Sequence, residues 1–182
     1  EQVTLAEVAA ASGLTKAALY RYFRSRELLY IAVYREHFAA LVDTLCRQPP
    51  ARFPHGFADV LLAHPLVCSL TAVLHVALET GLSEQEARDF KLFLLAQSQR
   101  LVGLLQQRTG RSEEDCRNYL MQCHQALIGC WHTSHPPEPA RRAMASPPLD
   151  VFEVDFAATL KAHMGLLTDA FTAPGTPGTE QG

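Results

Sequence analysis

The sequence predicts an all-α protein, with a small helix-turn-helix head at its N-terminal end and a larger helical body behind it. Three observations carry this. Apolar residues recur every three or four positions in each long segment, the period of one helix face, and no stretch alternates apolar and polar as a half-buried strand does. Ser, Thr and Gly stand where those segments begin and end, as N-caps and left-handed stops do. Prolines collect between the segments, at Pro49-Pro50 and five times in residues 133–149.

Taken in order, Thr4–Ser12 is the first helix, with Leu5, Val8 and Ala9 on one face and Thr4 and Glu7 spaced as a capping box. Gly13 ends it, because glycine takes the left-handed conformation without strain. Thr15 caps Lys16–Phe23, and helix, glycine-containing turn, helix is the helix-turn-helix arrangement. Arg26–Arg47 is one long helix, about 30 Å at 1.5 Å per residue, with Leu28, Leu29, Ala32, Val33, Phe38, Leu41, Val42 and Leu45 apolar. Pro49-Pro50 stops it, and the domain boundary is placed there, giving a head over 1–48 and a body over 49–172.

In the body, residues 55–64 predict a short helix. Leu66–Thr80 predicts an apolar one ended by Gly81, and Ser83–Arg108 a long one capped by Ser83 and ended by Gly110. Ser112 and Asp115 resemble a capping box ahead of a helix over 113–132. Residues 133–149 read as a proline-rich loop, Pro148–Asp150 as the lead into a last helix ending near Phe171, and 173–182 as a disordered tail. That makes about eight helices.

The Lys16–Phe23 helix has unusual surface chemistry. Leu19 and Phe23 are spaced to face inward, leaving Lys16, Tyr20, Arg21 and Tyr22 outside. Lys and Arg supply charge for phosphates and Tyr hydroxyls donate to phosphate oxygens. Ala17 and Ala18 are small enough for close approach to base edges. The net charge is −3, yet residues 16–35 hold five basic side chains against one acidic, and residues 49–182 ten basic against fourteen acidic. A basic surface on an acidic body fits a protein that meets phosphate at one end. The basic residues by themselves also fit a solvated helical hairpin.

The stretch Thr4–Leu29 resembles the DNA-binding segment of the TetR family of bacterial transcriptional regulators. The resemblance rests on Thr4, Ala6, Val8, Ala9, Ala11, Gly13, Leu14, Thr15, Lys16, Leu19, Tyr20, Tyr22, Phe23, Ser25, Arg26, Leu28 and Leu29. Ala18 and Arg26 stand where the family often has Gly and Lys. The family places a further helix ahead of this segment, so a first helix is expected before Glu1. The resemblance implies a homodimer on the two half-sites of a double-stranded operator, with Thr15–Phe23 as recognition helix. Thr4, Thr15, Lys16, Ala17, Tyr20, Arg21, Tyr22 and Arg26 are then the DNA contacts. It also implies that the last two helices pair with their twofold mates as a four-helix bundle. Two stripes are the candidates: Cys116, Tyr119 or Leu120, Cys123, Leu127 and Cys130 or Trp131; and Phe152, Phe156, Leu160, Met164, Leu167 and Phe171. Part of each stripe must serve the intramolecular core.

In such a body a small-molecule effector sits among helices. Polar side chains interrupting apolar faces are the candidates: His64, Thr71, His75, Gln97 and Trp131, with Gln99 and His124. Each reads more readily as a satisfied core or surface group than as a ligand contact. Few charges among apolar neighbours favour an apolar or aromatic effector. His64 and Cys68 lie four apart and His75 two turns on, with Cys123-His124 and Cys130-x-His132 elsewhere, but no zinc spacing is present. No metal and no cofactor are expected. Five cysteines without C-x-x-C spacing read as buried thiols in a reducing cytoplasm. A cysteine redox switch has no supporting residue. The glycine-rich phosphate loop, G-x-S-x-G and H-E-x-x-H are all lacking, so no enzyme is expected. No apolar run reaches the roughly 20 residues of a membrane span. The alternative is a helical ligand-binding or protein-interaction module without DNA binding, which leaves Lys16–Arg26 unexplained.

Overall fold

The computed structural model describes residues 21–77 and 82–174, with side chains omitted for 75–77. The readings of the Thr4–Ser12 helix, the Gly13 turn, the start of the recognition helix, the Gly81 stop and the terminal residues lie outside them. The described residues form seven α-helices and one 3-10 turn, with no strand among them.

Arg21 and Tyr22 close a helix, and a bend at residues 24–25 leads into α1, Arg26–Arg47. Ser25 is extended, and its Oγ accepts the Leu28 N–H at 3.3 Å, satisfying one of the first-turn donors. The helix ends at Gln48, since Pro49 has no N–H to continue the ladder. α2 is Phe57–Leu62 and follows Gly56 at φ 85, a left-handed backbone that favours glycine. α3 is Pro65–Ala77, its proline in the first position, where no N–H partner is required. α4 is Glu84–Thr109, opened by a complete Ser83–Glu86 capping box and closed by Gly110 at φ 69. α5 is Glu113–Ser134. Only half of its expected capping box forms. Ser112 Oγ accepts the Asp115 N–H at 3.1 Å and donates to the Asp115 carboxylate at 2.8 Å.

Two readings are corrected beyond α5. Residues 133–149 are not all loop: Glu138–Met144 forms α6, with Pro137 at the N-cap and Pro139 in the first turn, where prolines are tolerated. The last helix does not follow directly on Pro148–Asp150. A 3-10 turn spans Leu149–Phe152, residues 153–155 are not helical, and α7 runs Phe156–Thr172. Asp155 Oδ1 caps it by accepting the Ala158 N–H at 2.7 Å. Phe152 is therefore off the helix and 61% exposed, no part of the stripe assigned to it.

The core is continuous from Ile31 in α1 to Met164 in α7. α5 is its hub, packed on α3, α4 and α7, while α1 lies on α3 and α4, and α2 bridges α3 and α7. On α5, Cys116, Tyr119, Cys123, Leu127 and Cys130 are all buried, and on α7 so are Leu160, Met164 and Thr168. Cysteine here acts as a small apolar residue that lets helices approach closely. Tyr119 stacks on Phe171 with ring centroids 4.4 Å apart, and its hydroxyl shares a 2.8 Å hydrogen bond with Thr168 Oγ1. The two stripes put forward for dimerisation thus face each other within one chain.

Burial pushes the Cys68 and Cys123 thiols from their ordinary value of 9.0 up to about 11, and the Tyr34 phenol from 10.0 up to about 12. All three hold their proton more tightly folded than unfolded. The stability this contributes is complete below pH 9 and is lost as pH rises through the raised values. The urea midpoint at fixed protein concentration is therefore expected to fall steadily between pH 9 and pH 12. A midpoint that stays flat over that range contradicts the burial of these groups.

Candidate nucleic-acid interface

The head is described from Arg21 and Tyr22, the last two residues of the helix expected to be its recognition helix, onward. Arg21 is exposed and Tyr22 is 76% exposed, the largest exposure among the bulky apolar and aromatic side chains described. A tyrosine left so open has its hydroxyl free for an outside partner and little packing to hold it for any other purpose. Just beyond, the first turn of α1 presents N–H groups on an anion-favouring helix end. Arg26 is half-buried. Its Nη2 bonds Glu27 Oε1 at 3.2 Å, its guanidinium lies 5.9 Å from the Tyr30 ring centroid, and its Nε is buried without a hydrogen-bond partner. Burial opposes ionisation of Glu27, but bonds from its own backbone N–H, Ser25 and Arg26 outweigh it and hold the carboxyl below its usual range. Thr4, Thr15, Lys16, Ala17 and Tyr20 lie outside the described residues.

The charge pattern holds one feature absent from the sequence reading. Arg24, at the joint between the recognition helix and α1, bonds Glu86 in the first turn of α4, 62 residues away. Glu86 also accepts the Ser83 N–H at 2.8 Å and the Ser83 hydroxyl at 2.6 Å. Its carboxyl is held below the usual range first by the Ser83 hydroxyl, then by the Ser83 N–H, and further by Arg24.

Behind the joint, α1 meets α4 through four rings. Tyr34 stacks on Phe38 (5.2 Å) and meets Phe90 edge-on (5.9 Å), Phe38 meets Phe93 edge-on, and Phe90 stacks on Phe93 (6.4 Å). Arg35 caps the cluster, its guanidinium 4.8 Å from the Phe93 centroid. The i, i+4 spacing of Tyr34 and Phe38 and the i, i+3 spacing of Phe90 and Phe93 are the sequence signal for it.

The described body candidates are not gathered into one site. Thr71 is buried, and its Oγ1 bonds the Tyr34 hydroxyl at 3.3 Å and the Val67 carbonyl at 2.7 Å. His64 Nδ1 bonds the Val60 carbonyl at 2.8 Å, and Cys68 Sγ donates to the Leu61 carbonyl at 3.2 Å, so this i, i+4 pair turns to backbone oxygens. Gln97 accepts from Arg100 at 3.0 Å on the same helix. Trp131 stacks on His135 at 3.8 Å and meets Phe156 edge-on at 5.1 Å, near the C-terminal end of α5. Gln99 and His124 are exposed, and the His75 side chain lies outside the described residues. A surface cleft of about 430 Å³ lies by that end of α5, lined by Ser134, Arg141, Met144, Glu153 and Asp155 among others, and none of the five candidates lines it. Among the described residues no three His, Cys, Asp or Glu side chains converge as a metal site, and no helix is long and apolar enough to cross a membrane.

Comparison with known families gives two matches. A family model described as "Tetracyclin repressor-like, C-terminal domain" matches residues 28–169, and one described as "Bacterial regulatory proteins, tetR family" matches residues 1–33. Comparison with curated proteins found no match.

Proposed function

Because the chain belongs to the TetR family of DNA-binding transcriptional regulators, we propose that it is a homodimeric, cytoplasmic repressor, released from a palindromic operator by a small, largely apolar effector. The observation that carries this is the open pair Arg21 and Tyr22 beside the α1 N-terminus, a phosphate-binding edge attached to an otherwise packed helical body. Thr4, Tyr20, Tyr22 and Arg26 fix the head on phosphates, while Thr15, Lys16, Ala17 and Arg21 reach base edges or neighbouring phosphates. Two heads then lie about 34–36 Å apart, or a multiple of that, to meet successive major grooves.

The partner copy docks on the outward faces of α5 and α7, since their inward faces are used within the chain. Met121 on α5 is 57% exposed and Leu166 on α7 72% exposed. Gly129 and Gly165 leave open space where a side chain would stand, so a second pair of helices can come close there. The effector binds in the body against a subset of His64, Thr71, His75, Gln97 and Trp131, not against all five at once. The Thr71–Tyr34 hydrogen bond supports this reading, because it ties a candidate effector contact to the helix that carries the head. The effector acts only through its different affinity for the operator-competent and released arrangements.

The test is selection of bound duplexes from a random pool with the full-length protein, followed by affinity of variants for the selected duplex. Binding should weaken as salt rises. Tyr20→Phe and Lys16→Ala should each weaken it while leaving the dimer intact, and Lys16→Ala should flatten the salt dependence by about one unit per head. Unchanged affinity of both variants overturns the assignment of the recognition helix.

A further inference from the structure

We propose that Glu86, a residue of the body, positions the DNA-binding head through Arg24. The proposal rests on reading the chain as an operator-binding protein. Beyond the Asp43–Arg100 ion pair (2.5 Å), which ties the far half of α1 to α4, two contacts with α4 lie toward the recognition helix. One is the ring cluster of Tyr34, Phe38, Phe90 and Phe93. The other is the Arg24–Glu86 pair, roughly ten residues and so about 15 Å nearer the head. The ring cluster and the Asp43–Arg100 pair hold α1 itself, whereas the Arg24–Glu86 pair holds the bend at residues 24–25 that joins it to the recognition helix. The aromatic contact sets where α1 lies, and the Arg24–Glu86 pair sets the direction in which the recognition helix leaves it.

The carboxylate is itself held in place. Two bonds from Ser83 and its location in the first turn of α4 fix Glu86, whose side chain is 24% exposed against 63% for Arg24. The body therefore presents a stationary anion, and the head brings the mobile cation. The pair spans two matched segments, since Arg24 lies within residues 1–33 and Glu86 within residues 28–169. Both heads must meet their half-sites at once, so a freely pivoting head carries an orientational cost in each half of the dimer.

Glu86→Gln isolates this role. Glutamine completes a capping box as glutamate does, so α4 keeps its start while the charge that holds Arg24 is removed. In the full-length dimer, affinity for the selected duplex is expected to fall about threefold per head, in line with one exposed pair, and so about tenfold for two. The salt dependence should be unchanged, because no phosphate contact is lost. Arg24→Gln combined with Glu86→Gln should bind no more weakly than Glu86→Gln alone. Without DNA, amide hydrogen exchange in the first turn of α1 should accelerate in Glu86→Gln, with helix content unchanged. Unaltered affinity and exchange overturn the proposal. So does tighter binding with a steeper salt dependence, which would mean that Glu86 withholds Arg24 from phosphate. An additive further loss on removing Arg24, with a flatter salt dependence, assigns Arg24 to the DNA and overturns it as well. If the wild-type protein selects no duplex, the operator reading fails, and the exchange measurement still decides whether the pair holds the head.

Discussion

A Leu160→Ala variant is expected to unfold about 10 °C below the parent, a loss of roughly 3–4 kcal/mol. Leu160 is fully buried in the second turn of α7, where that helix lies against α5 and α2. Truncation removes the transfer free energy of the lost carbons and leaves a cavity. Its neighbours are stiff: the Tyr119–Thr168 hydrogen bond and the Tyr119–Phe171 stack fix the next turns of the same interface. Thermal denaturation at fixed protein concentration measures it, since the proposed dimer makes the midpoint concentration-dependent. A shift of less than about 2 °C would mean that α7 closes over the gap and is not held as described.

Leu166→Glu, six residues further along the same helix, should behave in the opposite way. Leu166 is 72% exposed, so the folded monomer loses little. In the proposed dimer it lies against a second copy, and a carboxylate there is desolvated next to its own symmetry mate. The variant should keep its helical circular dichroism, sediment as a monomer at micromolar concentration, and lose at least a hundredfold in operator affinity. The last effect arises because each half-site then binds without the effective concentration supplied by its tether. A Leu166→Glu protein that stays dimeric with full affinity removes this face from the interface. The two leucines together separate packing within the chain from packing between chains, a distinction that the α7 repeat alone does not make.

That ambiguity marks how far the sequence could be read. The ends of α1 were legible because the helix start at Ser25–Glu27 and the Pro49-Pro50 stop are local chemistry, and Arg26–Arg47 is the observed helix. Ser83 and Gly110 fixed α4 in the same way. Reading failed where a local signal has two uses. Proline breaks helices but also opens them, so α6 was hidden inside a loop reading. Phe152 stands four residues before Phe156 and extended the stripe by coincidence, whereas the true start was signalled by Asp155 and its reach to Ala158. Contacts distant in sequence left no trace. Nothing near Arg24 points to Glu86, and nothing near Thr71 points to Tyr34. For the candidate sites, residue types carried the head's chemistry, because its spacing is short-range. The body candidates stand out in the sequence only as polar interruptions of apolar faces, and four of them make bonds or ring stacks of their own.

The burial of α1 bears on how such a protein changes over time. Ile31, Tyr34, Leu41, Val42 and Leu45 are buried on the face of α1 that meets α3 and α4. The head's outward residues answer to a DNA sequence, but the helix joining it to the body answers to the body. Among the described residues, substitutions at the exposed Arg21 and Tyr22 are thus open without repacking the core. A chimaera joined at Pro49-Pro50 would carry five foreign side chains into a core shaped for others. One joined at the bend before Ser25 would bring none of those five, and an arginine at position 24 would let it meet Glu86.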